Sequence, residues 1–163
     1  MNDDETLTAY HEAGHAVIGY ALGGSIDGMQ LGGEEDDWLP ARFGDCRINW
    51  GRVDANSDWQ RKREILTILA GPVAEMVYRD EPLHPAAYGP WKDDWERAWS
   101  TAEVIAADPK RRTRLLEQLI RELHSSIKAD TCWAAIAALA DELLAHEALE
   151  AEQVAEVLQF WVR

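Results

Sequence analysis

At 163 residues, 47% hydrophobic and 28% charged, the chain has the length and balance of a single globular domain spanning 1–163, and no stretch reaches the roughly 18 uninterrupted apolar residues of a membrane span. A formal net charge of −14 opposes contact with a phosphate backbone, and two cysteines, Cys46 and Cys132, are too few and too far apart for a disulfide framework. The acidic opening Met1-Asn2-Asp3-Asp4-Glu5 lacks the basic-then-apolar order of a secretory leader, so the expected setting is cytoplasmic, with neither membrane nor nucleic acid as partner.

Apolar residues at helical spacing from Leu7 to Leu22 predict a first helix, with Asp3, Asp4 and Glu5 at its positive end and Gly23-Gly24 to stop it. Residues 25–56 change character. Scattered glycines, the acidic run Glu34-Glu35-Asp36-Asp37 and the partial alternation from Ala41-Arg42-Phe43 to Cys46-Arg47-Ile48-Asn49-Trp50 predict a small antiparallel sheet with long loops. Ser57, with Gln60 three places on, resembles a capping box and opens a second helix through Ile65, Leu69 and Val73 to Val77, bent or locally opened at Gly71-Pro72. Pro82, Pro85 and Pro90 make the next stretch a loop. A third helix is expected from near Trp91 to about Ala107, and Asp108-Pro109 signals a fourth over about 109–126. A fifth, capped by Asp130, takes Thr131 to His146, and a short sixth runs from Ala151 to about Trp161. The clusters Arg61-Lys62-Arg63 and Lys110-Arg111-Arg112 read as solvated helix faces.

The chemistry lies in the first helix. His11-Glu12-Ala13-Gly14-His15 has the H-E-x-x-H form, and a four-residue step on a helix returns nearly to the same face, so both imidazoles can grip one ion. Imidazole nitrogen suits Zn2+, and Glu12 is placed to take a proton from a water that the metal activates. A solvated pair of histidines is the bland alternative, but the apolar flank Ala16-Val17-Ile18 favours burial. A third protein ligand must come from elsewhere. The position six residues after His15 is Ala21, which excludes the three-histidine metzincin pattern. A distant carboxylate is expected, with Glu64, Glu75, Asp93, Asp94, Glu96 and Glu103 as candidates among which spacing does not choose.

Ala9-Tyr10-His11-Glu12-Ala13-Gly14-His15-Ala16-Val17 resembles the opening of the peptidase domain of FtsH-type ATP-dependent zinc metalloproteases. Leu69-Ala70-Gly71-Pro72-Val73-Ala74-Glu75 is similar to that family's glycine-containing helix, and Asp93-Asp94-Trp95-Glu96-Arg97-Ala98 to its Asn-Asp-Leu-x-x-Ala segment. The stretch Leu143 to Val154 is similar to its closing helix pair. The resemblance implies a mainly helical domain with a small sheet beside the metal helix, an extended polypeptide as substrate, and Asp94 as the third ligand beside His11 and His15. Glu75 keeps a second claim, as ligand or as a carboxylate orienting a histidine.

The chain departs from the family in several places. Asp93 stands where the family has asparagine, Pro72 follows the helix glycine where arginine is common, and no G-x-x-x-x-G-K-[ST] phosphate loop is present. The expectation is therefore a stand-alone zinc endopeptidase acting on unfolded or flexible polypeptide. The rival is a binding, regulatory or adaptor protein with the same fold, acting as a homo-oligomer or with a separate ATPase. Trp91, Trp95 and Trp99 form an i, i+4 stripe read as core packing, with a cleft wall as its lesser use. His84, His124 and His146 are given no catalytic role.

Overall fold

The computed structural model describes residues 4–32 and 44–162. Asp3, the acidic run Glu34-Glu35-Asp36-Asp37 and the alternation at Ala41-Arg42-Phe43 lie outside the described residues. In chain order the elements are α1 (Asp4–Ala21), β1 (Ser25–Leu31), β2 (Gly44–Asn49), α2 (Asp58–Arg79), α3 (Lys92–Ala102), α4 (Pro109–Lys128), α5 (Asp130–His146), β3 (Ala148–Glu150) and α6 (Ala151–Trp161), with single 3-10 turns at Pro85–Ala87 and Gly89–Trp91. The fold is mainly helical, with a small antiparallel sheet in the order β2-β1-β3, as expected.

Helix limits follow local chemistry. Acids Asp4 and Glu5 occupy the first turn of α1, and Gly23, at a φ of 105°, supplies the turn after its end. Ser57 caps α2 by accepting from the Gln60 backbone N–H, and Asp108 caps α4 by accepting from that of Arg111, with Pro109 at the first helical position. Helix α5 departs from expectation: Ala129 holds the cap position without a side-chain bond, and Asp130 lies inside the first turn, where its charge faces the positive helix end.

Three further differences have physical causes. Helix α2 is not opened at Gly71-Pro72 but stays helical through it; the proline withdraws one N–H, and this segment packs closely against α1. Helix α3 stops at Ala102, whose carbonyl accepts from both the Ile105 and Ala106 N–H groups in a closing turn, and the Ala106 and Ala107 carbonyls beyond it accept from Arg112 at 2.9 and 2.8 Å. Arg112 is therefore buried rather than solvated, its guanidinium 4.4 Å from the Trp99 ring centre. Arg63 is likewise no surface charge: it lies between Trp50 and Trp59 and donates to the Leu22 carbonyl. A long apolar stem and a planar head let arginine fill such places where the sign of a charge run says only "surface".

The core is one contiguous cluster drawing on all six helices together with β1 and β3. A close helix crossing lies between α1 and α2, where a Cβ on Gly14 would stand 2.5 Å from the Ala70 carbonyl oxygen and 2.6 Å from the Ala74 methyl. Backbone thus meets backbone, and the face of α1 that carries His11 and His15 is set directly against the middle of α2. Strand β1, central in the sheet, pairs Met29 with Cys46 of β2 on one side and with Leu149 of β3 on the other. The start of β2 passes over α1, where a Cβ on Gly44 would meet Thr8 and Glu12. Among the described residues no helix is long and apolar enough to cross a membrane.

Candidate metal centre

Helix α1 buries His11, Glu12 and His15 together. The four-residue step sets the two imidazoles one turn apart, edge to face, with ring centres separated by 4.7 Å. His15 Nδ1 lies 2.7 Å from the Thr67 carbonyl oxygen, which only accepts, so Nδ1 carries the proton and Nε2 presents a lone pair. His11 Nδ1 lies 2.7 Å from Glu75 Oε2, a fully buried carboxylate that favours the same tautomer. Both Nε2 atoms face one oxygen: Asp94 Oδ2 is 2.7 Å from that of His11 and 3.4 Å from that of His15.

This donor set fits zinc. Tetrahedral zinc with N and O donors at about 2.0–2.2 Å keeps those donors roughly 3.3 Å from one another. The His15–Asp94 separation of 3.4 Å is close to that value, and the 2.7 Å His11–Asp94 pair would have to open toward it for both to bind one ion. The wall beside the donors is bare backbone: a Cβ on Gly71 would stand 2.4 Å from His15 Nε2 and 2.8 Å from His11 Nε2. Histidines tied from behind by carboxylate and carbonyl are the usual supports of a zinc site.

Electrostatics shifts the two carboxylates in opposite directions. Burial alone would raise Asp94, but His15 and His11 hold it well below the usual carboxylate range, so it stays ionised. Glu12 moves the other way: burial raises it, and His15 and His11 reverse this only in part. Glu12 also offers an oxygen within 4.8 Å of the histidine donor atoms, so distance alone admits it as a ligand. The shorter contacts and lower proton affinity belong to Asp94, which fits the donor, whereas a carboxylate with raised proton affinity fits the base. Burial would lower His11, but hydrogen bonds to Asp94 and Glu75 overturn this and push it up to about 10. His15 is raised too, the carboxylate of Asp94 outweighing burial.

Of the six candidate carboxylates, the structure brings Asp94 and Glu75 to the histidines, Asp94 at the inner nitrogens and Glu75 at an outer one. Asp93, Glu64 and Glu96 instead line a groove of about 710 Å³ between β2, α2 and α3, and Glu103 is exposed beyond the end of α3. The groove borders His15 and Asp94: its walls include Thr67, whose carbonyl meets His15, and Arg97, whose Nη1 is 3.7 Å from Asp94 Oδ1. Cys46 also lines it, its thiol pushed up by burial and by Glu12. None of Trp91, Trp95 and Trp99 lines this groove; Trp91 is wholly buried, and its indole N–H donates to Glu75 Oε2. His84 caps a 3-10 turn, and His146 pairs with Glu142 on the surface.

Sequence reasoning missed Gly71 as a wall of the site, the Thr67 carbonyl as a support, and the polar use of Trp91. The first had a signal: a glycine inside a helix costs about 1 kcal/mol relative to alanine and calls for a packing reason. A backbone carbonyl carries no residue-type signal. No protein-family model matches the chain, and no curated protein matches it.

Proposed function

We propose that the chain is a zinc metallopeptidase with the architecture of the FtsH-type peptidase domain, its metal held by His11, His15 and Asp94 and its general base Glu12. The observation that carries the reading is the convergence of both histidine Nε2 atoms on Asp94 Oδ2 beside the bare backbone of Gly71, with each outer nitrogen tied to α2. What zinc supplies when bound is Lewis acidity, which brings the pKa of a water near neutrality and polarises the scissile carbonyl. Glu12 accepts the proton of the attacking water and delivers it to the leaving amine nitrogen as the C–N bond breaks. Glu75 and the Thr67 carbonyl keep the imidazoles oriented with Nε2 inward. The groove beside α3 takes an extended segment of unfolded or flexible polypeptide, with β2, outermost in the sheet among the described residues, along its border. The setting is cytoplasmic, and the enzyme works alone or beside a separate ATPase.

The test sets metal content beside cleavage of casein on the same samples. The chain should hold about one zinc, as a two-histidine, one-carboxylate site does. Glu12→Gln keeps that zinc but loses cleavage by about 10²–10⁴-fold. Asp94→Ala loses the zinc, whereas Asp93→Ala retains it. A wild-type chain without zinc sinks the reading; zinc without cleavage of any unfolded substrate turns it toward the binding or adaptor role.

A further inference from the structure

Glu75 Oε2 accepts two hydrogen bonds, one from His11 Nδ1 and one from the indole N–H of Trp91. Trp91 is 0% exposed and is among the largest fully buried side chains of the described residues. It is clamped from behind: the Tyr88 ring meets it edge-on with centres 4.6 Å apart, and Arg79, near the end of α2, both donates to the Tyr88 hydroxyl at 2.8 Å and lies over its ring. Trp91 also immediately precedes α3, three residues before Asp94. One side chain therefore touches the support of His11, while its own backbone opens the helix that carries Asp94.

We propose that Trp91 is a positioning residue for the metal centre, its indole N–H fixing the Glu75 carboxylate that orients His11. This rests on the zinc-site reading above. A donor from a rigid, packed ring at Oε2, beside that of His11, limits rotation of the buried carboxylate about its own side-chain bonds. With Oε2 fixed at His11 Nδ1 by this second donor, Nε2 remains the nitrogen that faces Asp94. A ring that filled space only would need no N–H. Its replacement by phenylalanine would then affect packing but not the histidine.

The test is a double-mutant cycle read by zinc affinity, measured by competition with a chromogenic chelator on the full chain. Trp91→Phe should weaken zinc about tenfold, the low end of what loss of an outer partner produces, and shift the visible spectrum of the cobalt-substituted protein. In a Glu75→Gln background the same change should have little further effect, because its route is already cut. Trp99→Phe, which alters a neighbouring ring without touching Glu75, should leave zinc affinity as in the wild type. Additive losses in the cycle, or unchanged affinity in Trp91→Phe, overturn the proposal while leaving the zinc site standing. A wild-type chain that binds no zinc removes both. Should Trp91→Phe fail to fold, the wild-type indole proton serves instead: its resonance should lie downfield of the other tryptophans and move upfield in Glu75→Gln. An ordinary position in both proteins overturns the proposal.

Discussion

Replacing Gly71 with alanine separates two effects of opposite sign. In an unconstrained helix interior the change stabilises by about 0.8–1 kcal/mol. Here the new methyl would lie 2.4 Å from His15 Nε2, 2.5 Å from His15 Cε1 and 2.8 Å from His11 Nε2. Non-bonded carbon contacts settle at about 3.5–4 Å, so the His15 ring must withdraw by roughly 1 Å. That ring is pinned at its far side by the 2.7 Å bond to the Thr67 carbonyl, and α1 cannot retreat freely from its contact at Gly14. Overpacking of this kind costs about 1–3 kcal/mol, so after the propensity gain the metal-free protein should lose up to about 2 kcal/mol. Zinc affinity should fall by more, about 10–100-fold, because the displaced atoms are the proposed donors. Chelator competition and thermal unfolding with and without zinc measure the two quantities separately. Wild-type zinc affinity together with a higher melting temperature would refute the reasoning, since that is what propensity alone demands.

The raised His11 gives a pH signature. Its folded value of about 10 lies above its ordinary 6.5, so its contribution to the stability of the metal-free protein is complete below pH 6.5 and is lost as pH rises through 10. Zinc must displace a proton there, so zinc affinity should climb between about pH 7 and 9, with proton release seen by calorimetry in buffers of different ionisation heat; a flat affinity over that range would count against the geometry. The depressed Asp94 acts in the opposite sense: its contribution is present above the ordinary 3.8 and is lost only as acid titrates it well below that. Away from the proposed metal centre, Arg112→Met should strand the Ala106 and Ala107 carbonyls and destabilise by about 2–4 kcal/mol in chemical denaturation, with zinc affinity unchanged. An unaltered midpoint would show that water serves those carbonyls equally well.

The legibility of the site tracks sequence distance. His11, Glu12 and His15 are readable because helical periodicity converts a spacing of four into a shared face. Asp94 lies 83 positions from His11, and no local rule joins them; it was reached through a family resemblance. Glu75 was legible as a candidate but not as to which nitrogen it would meet. The helices were largely readable from caps and breakers, since Ser57, Asp108 and Gly23 act on their own neighbours. Strand β3, only Ala148–Glu150, is too short to alternate visibly and exists because β1 offers it a partner. Arg63 and Arg112 were misread because a charge run reports sign, whereas their fate was decided by tryptophans and open carbonyls elsewhere in the chain.

The crossing at Gly14 bears on how accurately such a site can be reproduced from one molecule to the next. Side chains between two helices act as soft spacers, because each has rotamers among which the interhelical gap can drift. At Gly14 that layer is missing, and the Ala70 carbonyl and Ala74 methyl meet the α1 backbone directly. The crossing behaves as a mechanical datum, a hard stop from which both histidine supports, Thr67 and Glu75, are measured along a single rigid rod. Looseness in a layer such as α6, which packs on α5 and the sheet rather than on α2, is one step removed from the two histidines. A substitution as small as one methylene at the stop itself would displace every one of them together.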